Sequence, residues 1–261
     1  MARAEIRQQP VCIMNIKTYI SRIPHKWIIK DSFLDLNPNL SYLITYGSKY
    51  AQSILIDANV GIEELARDLD QMESKLEWIL LTHTHLDHNF RLPEIMAKYK
   101  DVHVGIHSQG WKNTFPEISA EKFIELSENR EIRVGKNVVA ALPAPGHTID
   151  ALCFWDKKNR LFFAGDLILG GEIGCCDYLS GGNKNDFYST LVNLLQLLPD
   201  ETSIFPGHRL NHYSGPPPYL WSQEKDRNPY LQYAAAGQRS KFNKALRGLS
   251  GEYDQVHREL P

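Results

Sequence analysis

A short stretch of the chain carries four side chains that commonly bind metal ions. They are His83, His85, Asp87 and His88, and they follow directly after the apolar residues 78–81. An apolar run bounded by polar residues predicts a buried strand, so the four side chains lie at a loop edge that an ion can reach. Imidazole nitrogens with a carboxylate oxygen favour zinc or ferrous iron, whereas an all-oxygen set would favour calcium or magnesium.

The spacing of the four side chains supports a metal site. His83 and His85 face the same way if the segment is extended, because side chains alternate along a strand. Asp87 and His88 then lie at the turn into the next helix. The alternative is a polar loop with ordinary surface histidines, which describes most histidines taken singly. Three histidines and an aspartate at this spacing favour the metal site.

Three later potential ligands share one context. Each follows an apolar, strand-like run and a glycine, and they are His147, Asp166 and His208. Glycine lets the backbone turn sharply and approach an ion closely. The seven ligands divide between two ions: His83, His85 and His147 for one, Asp87, His88 and His208 for the other, and Asp166 shared by both. A carboxylate suits the shared position because its two oxygens can span cations about 3.5 to 4 Å apart.

Composition narrows the classes of partner. The chain has 261 residues, 43% of them hydrophobic, which is typical of an ordinary globular protein. Lysine and arginine number 29 against 31 acidic residues, and this near balance argues against nucleic acid and anionic membranes as partners. A small-molecule or acyl-carrier substrate fits better.

No apolar run approaches the roughly 20 residues of a membrane-spanning helix and the first residues form no secretory signal, so a cytoplasmic location is expected. No feature of the sequence indicates the oligomeric state.

The cysteines are consistent with a reducing compartment. There are four, Cys12, Cys153, Cys175 and Cys176. The last two are adjacent, and adjacent cysteines close only a strained disulfide that provides no extracellular framework.

Hydrophobic periodicity predicts a chain rich in strands. His103 and His107 fall on one of these strands and are expected to decorate it rather than bind metal. The predicted elements are a hairpin over 40–57, a helix over 61–75, a strand ending before His83, a helix from Pro93 to about Lys100, strands over 102–107, 131–142, 151–164 and 203–205, and helices over 186–198 and 229–248.

The ligand motifs resemble those of the metallo-β-lactamase superfamily. The series His83-x-His85-x-Asp87-His88, His147, Asp166 and His208 is similar to that superfamily's metal ligands in type and order, over about residues 40–210. The resemblance implies an α+β fold, the αββα four-layer sandwich, with the metals at one edge between two sheets. Beyond residues 216–218 the sequence changes character, so we expect a catalytic domain over 1–215, followed by a C-terminal helical extension over 216–261.

A narrower resemblance points to the branch of glyoxalase II (hydroxyacylglutathione hydrolase) and persulfide dioxygenase. It rests on residues 145–148, 174–178 and 224–231. The resemblance places Tyr178 in a substrate pocket. The chain departs from this branch where a lysine or arginine holds glutathione, because Cys175 and Cys176 occupy that stretch.

These departures weaken the expectation of glutathione as substrate. Leu210 also replaces a tyrosine of that pocket, and a carboxylate-bearing thiol needs charge-assisted partners. Lys184, Arg209 or the basic residues near 239–247 could substitute for the missing cation. The two cysteines are either reactive groups at the substrate or small residues that fill a tight turn.

The function expected is metal-dependent hydrolysis of a thioester or ester, as in glyoxalase II. Two divalent ions, Zn²⁺ as the first choice with Fe²⁺ or a mixed pair as alternatives, lower the pKa of a bound water to about 7, and the resulting hydroxide attacks the carbonyl. Asp87 is the expected catalytic residue, orienting the hydroxide and taking up a proton. By analogy Asp57 is expected to hydrogen-bond a ligand histidine, although a helix N-cap is an alternative role.

Three other functions stay open. A single ferrous iron held by His83, His147 and Asp166 would suit a persulfide dioxygenase. An RNA- or nucleotide-processing hydrolase would use the same centre, and the near-neutral charge counts against it. A structural zinc site is disfavoured because such sites are closed, four-ligand and rich in cysteine.

Overall fold

The computed structural model of this protein describes residues 14–21, 38–110, 120–126, 130–178, 180–210, 213 and 215–246. Its twelve strands form two six-stranded sheets. The first sheet contains, in spatial order, β1 (Met14–Ser21), β2 (Asn39–Tyr46), β3 (Ala51–Ile56), β4 (Ser74–Leu80), β5 (His103–Ile106) and β6 (Phe123–Glu125). The second contains β7 (Arg130–Val134), β8 (Asn137–Pro143), β9 (Leu152–Asp156), β10 (Leu161–Gly165), β11 (Ser203–Pro206) and β12 (Tyr219–Leu220).

Both sheets mix antiparallel and parallel pairs. In the first, β3, β4, β5 and β6 pair in parallel, while β1, β2 and β3 are antiparallel neighbours. In the second, β10 and β11 are parallel and the remaining pairs are antiparallel. Parallel pairing places the carboxyl ends of β3 and β4 at the same edge of the first sheet. In the same way, the carboxyl ends of β10 and β11 lie at the same edge of the second sheet. A bridge between Asn39 and His208 joins these two edges.

Helices cover the sheets. Among the described residues they include α1 (Ile62–Gln71), α2 (Leu86–Asn89), α3 (Leu92–Lys98), α4 (Lys184–Leu197), α5 (Trp221–Arg227), α6 (Pro229–Ala235) and α7 (residues 239–246), and a 3₁₀ turn spans Ala120–Lys122. Pro93 lies in the first turn of α3, where its missing N–H leaves no helical hydrogen bond unmade. None of the described helices is long and apolar enough to cross a membrane.

Three apolar clusters define the layers. One lies between the sheets and joins residues such as Ile54 and Phe163. A second lies between the first sheet and α1 and α3, where Leu65 and Ile95 pack. The third lies between the second sheet and the later helices, around Phe187. The layers are therefore helix, sheet, sheet, helix, which confirms the predicted αββα sandwich.

Most predicted elements are present, with shifted bounds. The hairpin over 40–57 is β2 and β3, and their antiparallel register is continuous. The helix expected over 61–75 ends at Gln71 because β4 begins at Ser74. The segment 151–164 contains two strands on either side of the turn expected at 156–159. The segment 131–142 contains two strands instead of one and is divided at Gly135, whose φ of 58° few other residues adopt.

The C-terminal part differs most from expectation. The helix expected over 229–248 is divided into α6 and α7 at Gly237, with φ of 68°, and α5 was not predicted. Arg247, like Cys12, lies outside the described residues. The boundary expected after residue 215 falls just before β12, which pairs with β11 of the second sheet. Trp221 and Phe242 join the same apolar cluster as α4, so this part shares a core with the second sheet.

Candidate metal centre

The predicted ligands lie where loops leave the joined edges of the two sheets. His83 follows β4, Asp166 follows β10 and His208 follows β11, while His147 lies between β8 and β9. Asp87 and His88 lie in α2. Backbone hydrogen bonds tie these loops together: the Leu40 amide donates to the Gly207 carbonyl at 2.8 Å and the Leu152 amide to the Thr82 carbonyl at 2.7 Å. The ligands from both sheets therefore share one rigid frame.

One half of the centre consists of three histidines. The candidate ligand atoms of His83, His85 and His147 all lie within 4.8 Å of one another. Nε2 of His147 and Nδ1 of His85 are 3.1 Å apart. We call this set the three-histidine half.

The other half contains a carboxylate and two histidines. The candidate ligand atoms of Asp87, His88 and His208 also lie within 4.8 Å of one another. Nε2 of His208 is 3.2 Å from Oδ2 of Asp87. This set is the aspartate half.

Asp166 lies between the two halves. Its Oδ1 is 3.4 Å from Nε2 of His88, and its Oδ2 is 3.3 Å from Nε2 of His208. Oδ2 is also 3.7 Å from Nε2 of His147. One carboxylate thus faces ligands of both sets, which is the geometry expected of a bridging residue.

The outer nitrogens of three ligand rings are held by other groups. Nδ1 of His88 and Oδ2 of Asp57 are 2.8 Å apart, as are Nε2 of His85 and Oδ2 of Asp177. Nδ1 of His147 lies 2.6 Å from the carbonyl oxygen of Cys175. A ring that donates its outer N–H to an oxygen presents its other nitrogen as a lone pair, so these contacts prepare the rings for a cation.

Buried polar atoms without partners test whether the residues fit metal ions. Nε2 of His83, Nε2 of His88 and Oδ1 of Asp166 are buried and form no hydrogen bond of acceptable geometry among the described residues. An unsatisfied buried polar group costs about 1–3 kcal/mol, and coordination to a cation would remove that cost. Nitrogen and carboxylate donors suit zinc or iron, so the set fits a pair of such ions.

The electrostatics differ between the halves. Burial lowers the pKa of His83 well below its usual range, and burial with the neighbouring His85 lowers that of His147 to about 4. For His208, burial acts in the opposite direction, but Asp166 outweighs it and the pKa rises to about 10. Burial alone would raise the pKa of Asp87, and the imidazoles of His88 and His208 instead hold it well below its usual range. The carboxylates therefore favour positive charge in the aspartate half, whereas burial favours neutral imidazoles in the three-histidine half.

Asp57 links the first sheet to the centre. Besides its contact with His88, its Oδ1 accepts a hydrogen bond from the Thr82 amide at 2.8 Å. Asp57 has φ of 57°, a left-handed conformation that aspartate tolerates better than most residues. Of its two expected roles, the contact with a ligand histidine is present. The N-cap residue of α1 is Gly61, so Asp57 is not that cap.

Two glycines leave space that a side chain would occupy. A Cβ on Gly207 would lie 2.4 Å from Oδ1 of Asp166, and one on Gly165 would lie 2.7 Å from Cβ of Thr82. Gly165 also has φ of 51°. Glycine is therefore required at both positions, because neighbouring atoms lie too close for a side chain. At position 165 the positive φ is a second reason.

The expected substrate residues have different surroundings. Tyr178 is exposed and Lys184 is half-buried at the start of α4. Cys176 is 1% exposed within the apolar cluster around Phe187, so its side chain has no surface to offer a substrate. Burial raises the pKa of the Cys175 thiol. The three described cysteines are free thiols.

Two polar contacts of the centre had not been predicted from sequence. Asp177 contacts His85 from 92 positions away, and its amide donates to the His147 carbonyl at 2.8 Å. Asn39 donates from Nδ2 to Oδ2 of Asp87 at 2.9 Å. A weak signal for Asp177 is its place in the glycine-rich turn after Asp166. Asn39, the first residue of β2, has no such signal.

The chain is similar in sequence to known metallo-hydrolases. A family model described as the metallo-beta-lactamase superfamily matches residues 34–208. The hydroxyacylglutathione hydrolase of Bartonella henselae is 33% identical over 137 residues, 51% of this chain and 49% of that protein, so the match spans about half of the relative's length. The probable polyketide biosynthesis zinc-dependent hydrolase BaeB of Bacillus velezensis is 24% identical over 177 residues, covering 68% of this chain and 76% of that protein.

A solved structure is also similar. It is the crystal structure of ETHE1 from Myxococcus xanthus, with a TM-score of 0.64 and 27% identity. The match covers 85% of this chain and 87% of that one. The similarity therefore extends over most of both chains.

Proposed function

This chain belongs to the metallo-β-lactamase superfamily, and from that premise we propose that it is a binuclear metal-dependent hydrolase that cleaves a thioester or ester. One observation carries the proposal. Asp166 faces His88 and His208 of the aspartate half and His147 of the three-histidine half at 3.3 to 3.7 Å. A carboxylate placed between two nitrogen-rich sets suits two cations better than one.

The residues of the centre have two proposed roles, which are to bind the metal ions and to orient the attacking water. Bound divalent cations would supply Lewis acidity, which lowers the pKa of water and polarises a carbonyl oxygen. His83, His85 and His147 would hold one ion, Asp87, His88 and His208 would hold the other, and Asp166 would contribute to both. Asp87, fixed by Asn39, is the residue that orients the attacking water.

Zinc is the proposed metal. The ligand atoms are imidazole nitrogens and carboxylate oxygens, which zinc and ferrous iron both accept. The relative BaeB is named a zinc-dependent hydrolase, and zinc needs no change of oxidation state for hydrolysis. Iron, or one iron with one zinc, is the alternative composition.

The substrate approaches from the side of His85. Its side chain is 18% exposed, whereas those of the other six ligands are at most 8% exposed. Leu86, at the start of α2, directly follows His85, while Ile149 and Tyr178 lie in the loops that carry His147 and Asp177, and all three side chains are exposed. Exposed apolar side chains beside a polar centre suit an acyl group. The proposed substrate is a small-molecule or acyl-carrier thioester, and the proposed location is the cytoplasm.

The test is a metal count joined to two assays. The purified protein would be analysed for zinc and iron, then assayed for cleavage of an acyl-glutathione and an acyl-N-acetylcysteamine thioester, and for oxygen uptake with glutathione persulfide. We expect two zinc ions per chain, thioester cleavage and no oxygen uptake. His83→Ala should lose metal and turnover, while His103→Ala, an exposed histidine on β5, should keep both. One iron per chain with sulfite formation would replace this proposal by the dioxygenase.

A further inference from the structure

A groove of about 930 Å³ lies on the outer face of the second sheet, beside α4. Val138, Ala140 and Leu142 of β8 contribute to its floor, together with Cys153 and Trp155 of β9. The register pairs Ala140 with Trp155 and Leu142 with Cys153, so these side chains share one face of the sheet. The apolar floor is therefore continuous across two strands.

The groove has one wall and one open side. Leu194 and Leu197 of α4 form the wall, and Leu197 is 44% exposed. The floor residues of β8 are only half-buried, because α4 does not reach across the whole strand. From Val138 to Leu142 the strand extends about 13 Å at roughly 3.3 Å per residue. That is the length scale of a medium-chain alkyl group.

A buried indole in the floor has no hydrogen-bond acceptor. Trp155 is 7% exposed, and its Nε1 has no partner among the described residues. A buried indole N–H usually finds an oxygen, since leaving it unsatisfied costs free energy. Because this N–H is itself buried, Trp155 presents only the apolar part of its ring to the groove.

The rim of the groove is positively charged. Lys136, Lys157 and Lys158 line it, and within the described part of the chain none of the three forms an ion pair. The ammonium of Lys157 lies 5.6 Å from the centre of the Trp155 ring, which places a positive charge directly above the floor.

Neighbouring acids do not neutralise these lysines. Glu131 on the same rim is 3.8 Å from Arg133, its ion-pair partner. Asp156, between Trp155 and Lys157, is fully buried and accepts a hydrogen bond from the Tyr46 hydroxyl at 2.8 Å. Tyr46 belongs to the cluster between the sheets, so the Asp156 carboxylate faces away from the groove. The rim keeps a net positive charge.

We propose that this groove is a second ligand site, which binds a single-chain fatty carboxylate. The alkyl chain lies along β8 against Leu194 and Leu197. The carboxylate lies at the lysine rim, where Lys157 and Lys158 supply charge. An apolar floor and a matching charge together describe an amphipathic anion.

Calorimetric titration of the metal-loaded protein with dodecanoate, below its micellar concentration, tests the site. We expect one dodecanoate per chain, with affinity rising about three- to fourfold per methylene from octanoate to dodecanoate. Dodecanol, which has the chain without the charge, should bind at least tenfold more weakly.

Variants locate the binding. Ala140→Trp fills the floor, and the pair Lys157→Glu with Lys158→Glu reverses the exposed charge without disturbing the core. Each should reduce dodecanoate affinity at least tenfold, while Lys75→Glu with Lys98→Glu, on exposed positions of β4 and α3, should leave it unchanged. Circular dichroism would show that Ala140→Trp is folded, and the charge-reversal pair decides the matter if it is not.

Several results would overturn the site. Dodecanoate binding that is lost in His83→Ala and retained in the groove variants would place the ligand at the metal centre. Equal affinity for dodecanol would remove the role of the lysines. A dimer in sedimentation velocity that Ala140→Trp dissociates would show that a second copy covers the groove instead.

Discussion

The two halves of the metal centre are held in different ways. The aspartate half is almost fully buried, and its outer contacts come from Asp57 and Asn39 of the first sheet and its edge. The three-histidine half includes the more exposed His85, and the outer contacts of His85 and His147 come from the turn that contains Cys175 and Asp177. The outer nitrogen of His83, Nδ1, lies 3.1 Å from Oγ1 of Thr82. The aspartate half is thus fixed by the sheet, and two of the three rings of the other half are fixed by a loop.

The difference has a physical consequence. A hydrogen bond lost in a dry, buried place leaves an unsatisfied group, whereas water can replace a partner near the surface. Damage to the aspartate half should therefore cost more than the equivalent damage to the three-histidine half. In the proposed function the loop-held half faces the substrate, where small adjustments of a ligand are tolerable.

The largest loss of metal affinity is expected from Asp57→Asn. Asparagine keeps the shape and tolerates φ of 57°, but it removes the charge that holds His88 and weakens the contacts with Thr82. Loss of such a partner weakens metal binding by about 10- to 100-fold, and we expect the upper part of that range. The measurement is competition with a chromophoric chelator, which should show one tightly bound ion in place of two.

Asp68→Asn is the matched control for Asp57→Asn. Asp68 is equally buried, but it bonds to Lys17 and the hydroxyl of Tyr19, outside the metal centre. It should lower the thermal unfolding temperature and leave two ions bound. If both variants kept two tightly bound ions, Asp57 would not be the residue that fixes the aspartate half.

A smaller, more local effect is expected from Asp177→Asn. His85 then loses its charged partner, yet the ring is near the surface and water can bond to Nε2. Metal affinity should fall by about tenfold, the lower end of the range for such partners, and only at the three-histidine half. Cobalt substitution would show which half is affected, because the absorption of each bound Co²⁺ reports its own ligands.

The exposed Asp186, in the first turn of α4, provides a control for Asp177→Asn. Asp186→Asn should bind metal like the parent protein. An Asp177→Asn variant that lost the ion of the aspartate half would contradict the division into a sheet-held and a loop-held half.

The sequence predicted the ligands better than the contacts that hold them. His83, His85, Asp87 and His88 are close in sequence, so their spacing alone indicated a shared site, and the later ligands were marked by glycines. Asp177 had no comparable mark, because its distance of 92 positions from His85 is closed only by folding. Long-range pairing of this kind depends on how two sheets meet, which local patterns do not encode.

The same limit applies to the fold. The helix α1 was predicted from apolar spacing because its buried face is continuous along the helix. The division of the C-terminal helix at Gly237 and the separate β7 and β8 strands at Gly135 were missed, although both glycines are visible in the sequence. A glycine is compatible with a helix, a strand or a turn, and packing decides among them.

The smallest effect on turnover is expected from Cys175→Ala. This variant distinguishes the role of the backbone carbonyl of residue 175 from the role of its thiol. The carbonyl of residue 175 bonds to Nδ1 of His147, and alanine keeps that carbonyl. Burial raises the pKa of the thiol, so it stays protonated and unreactive at neutral pH. Turnover should stay within about twofold of the parent, the size of a 0.5 kcal/mol change, with two ions bound. A loss of turnover greater than tenfold with both ions retained would show that the thiol touches the substrate, and the three-histidine half would then be held by a loop that also recognises what is cleaved.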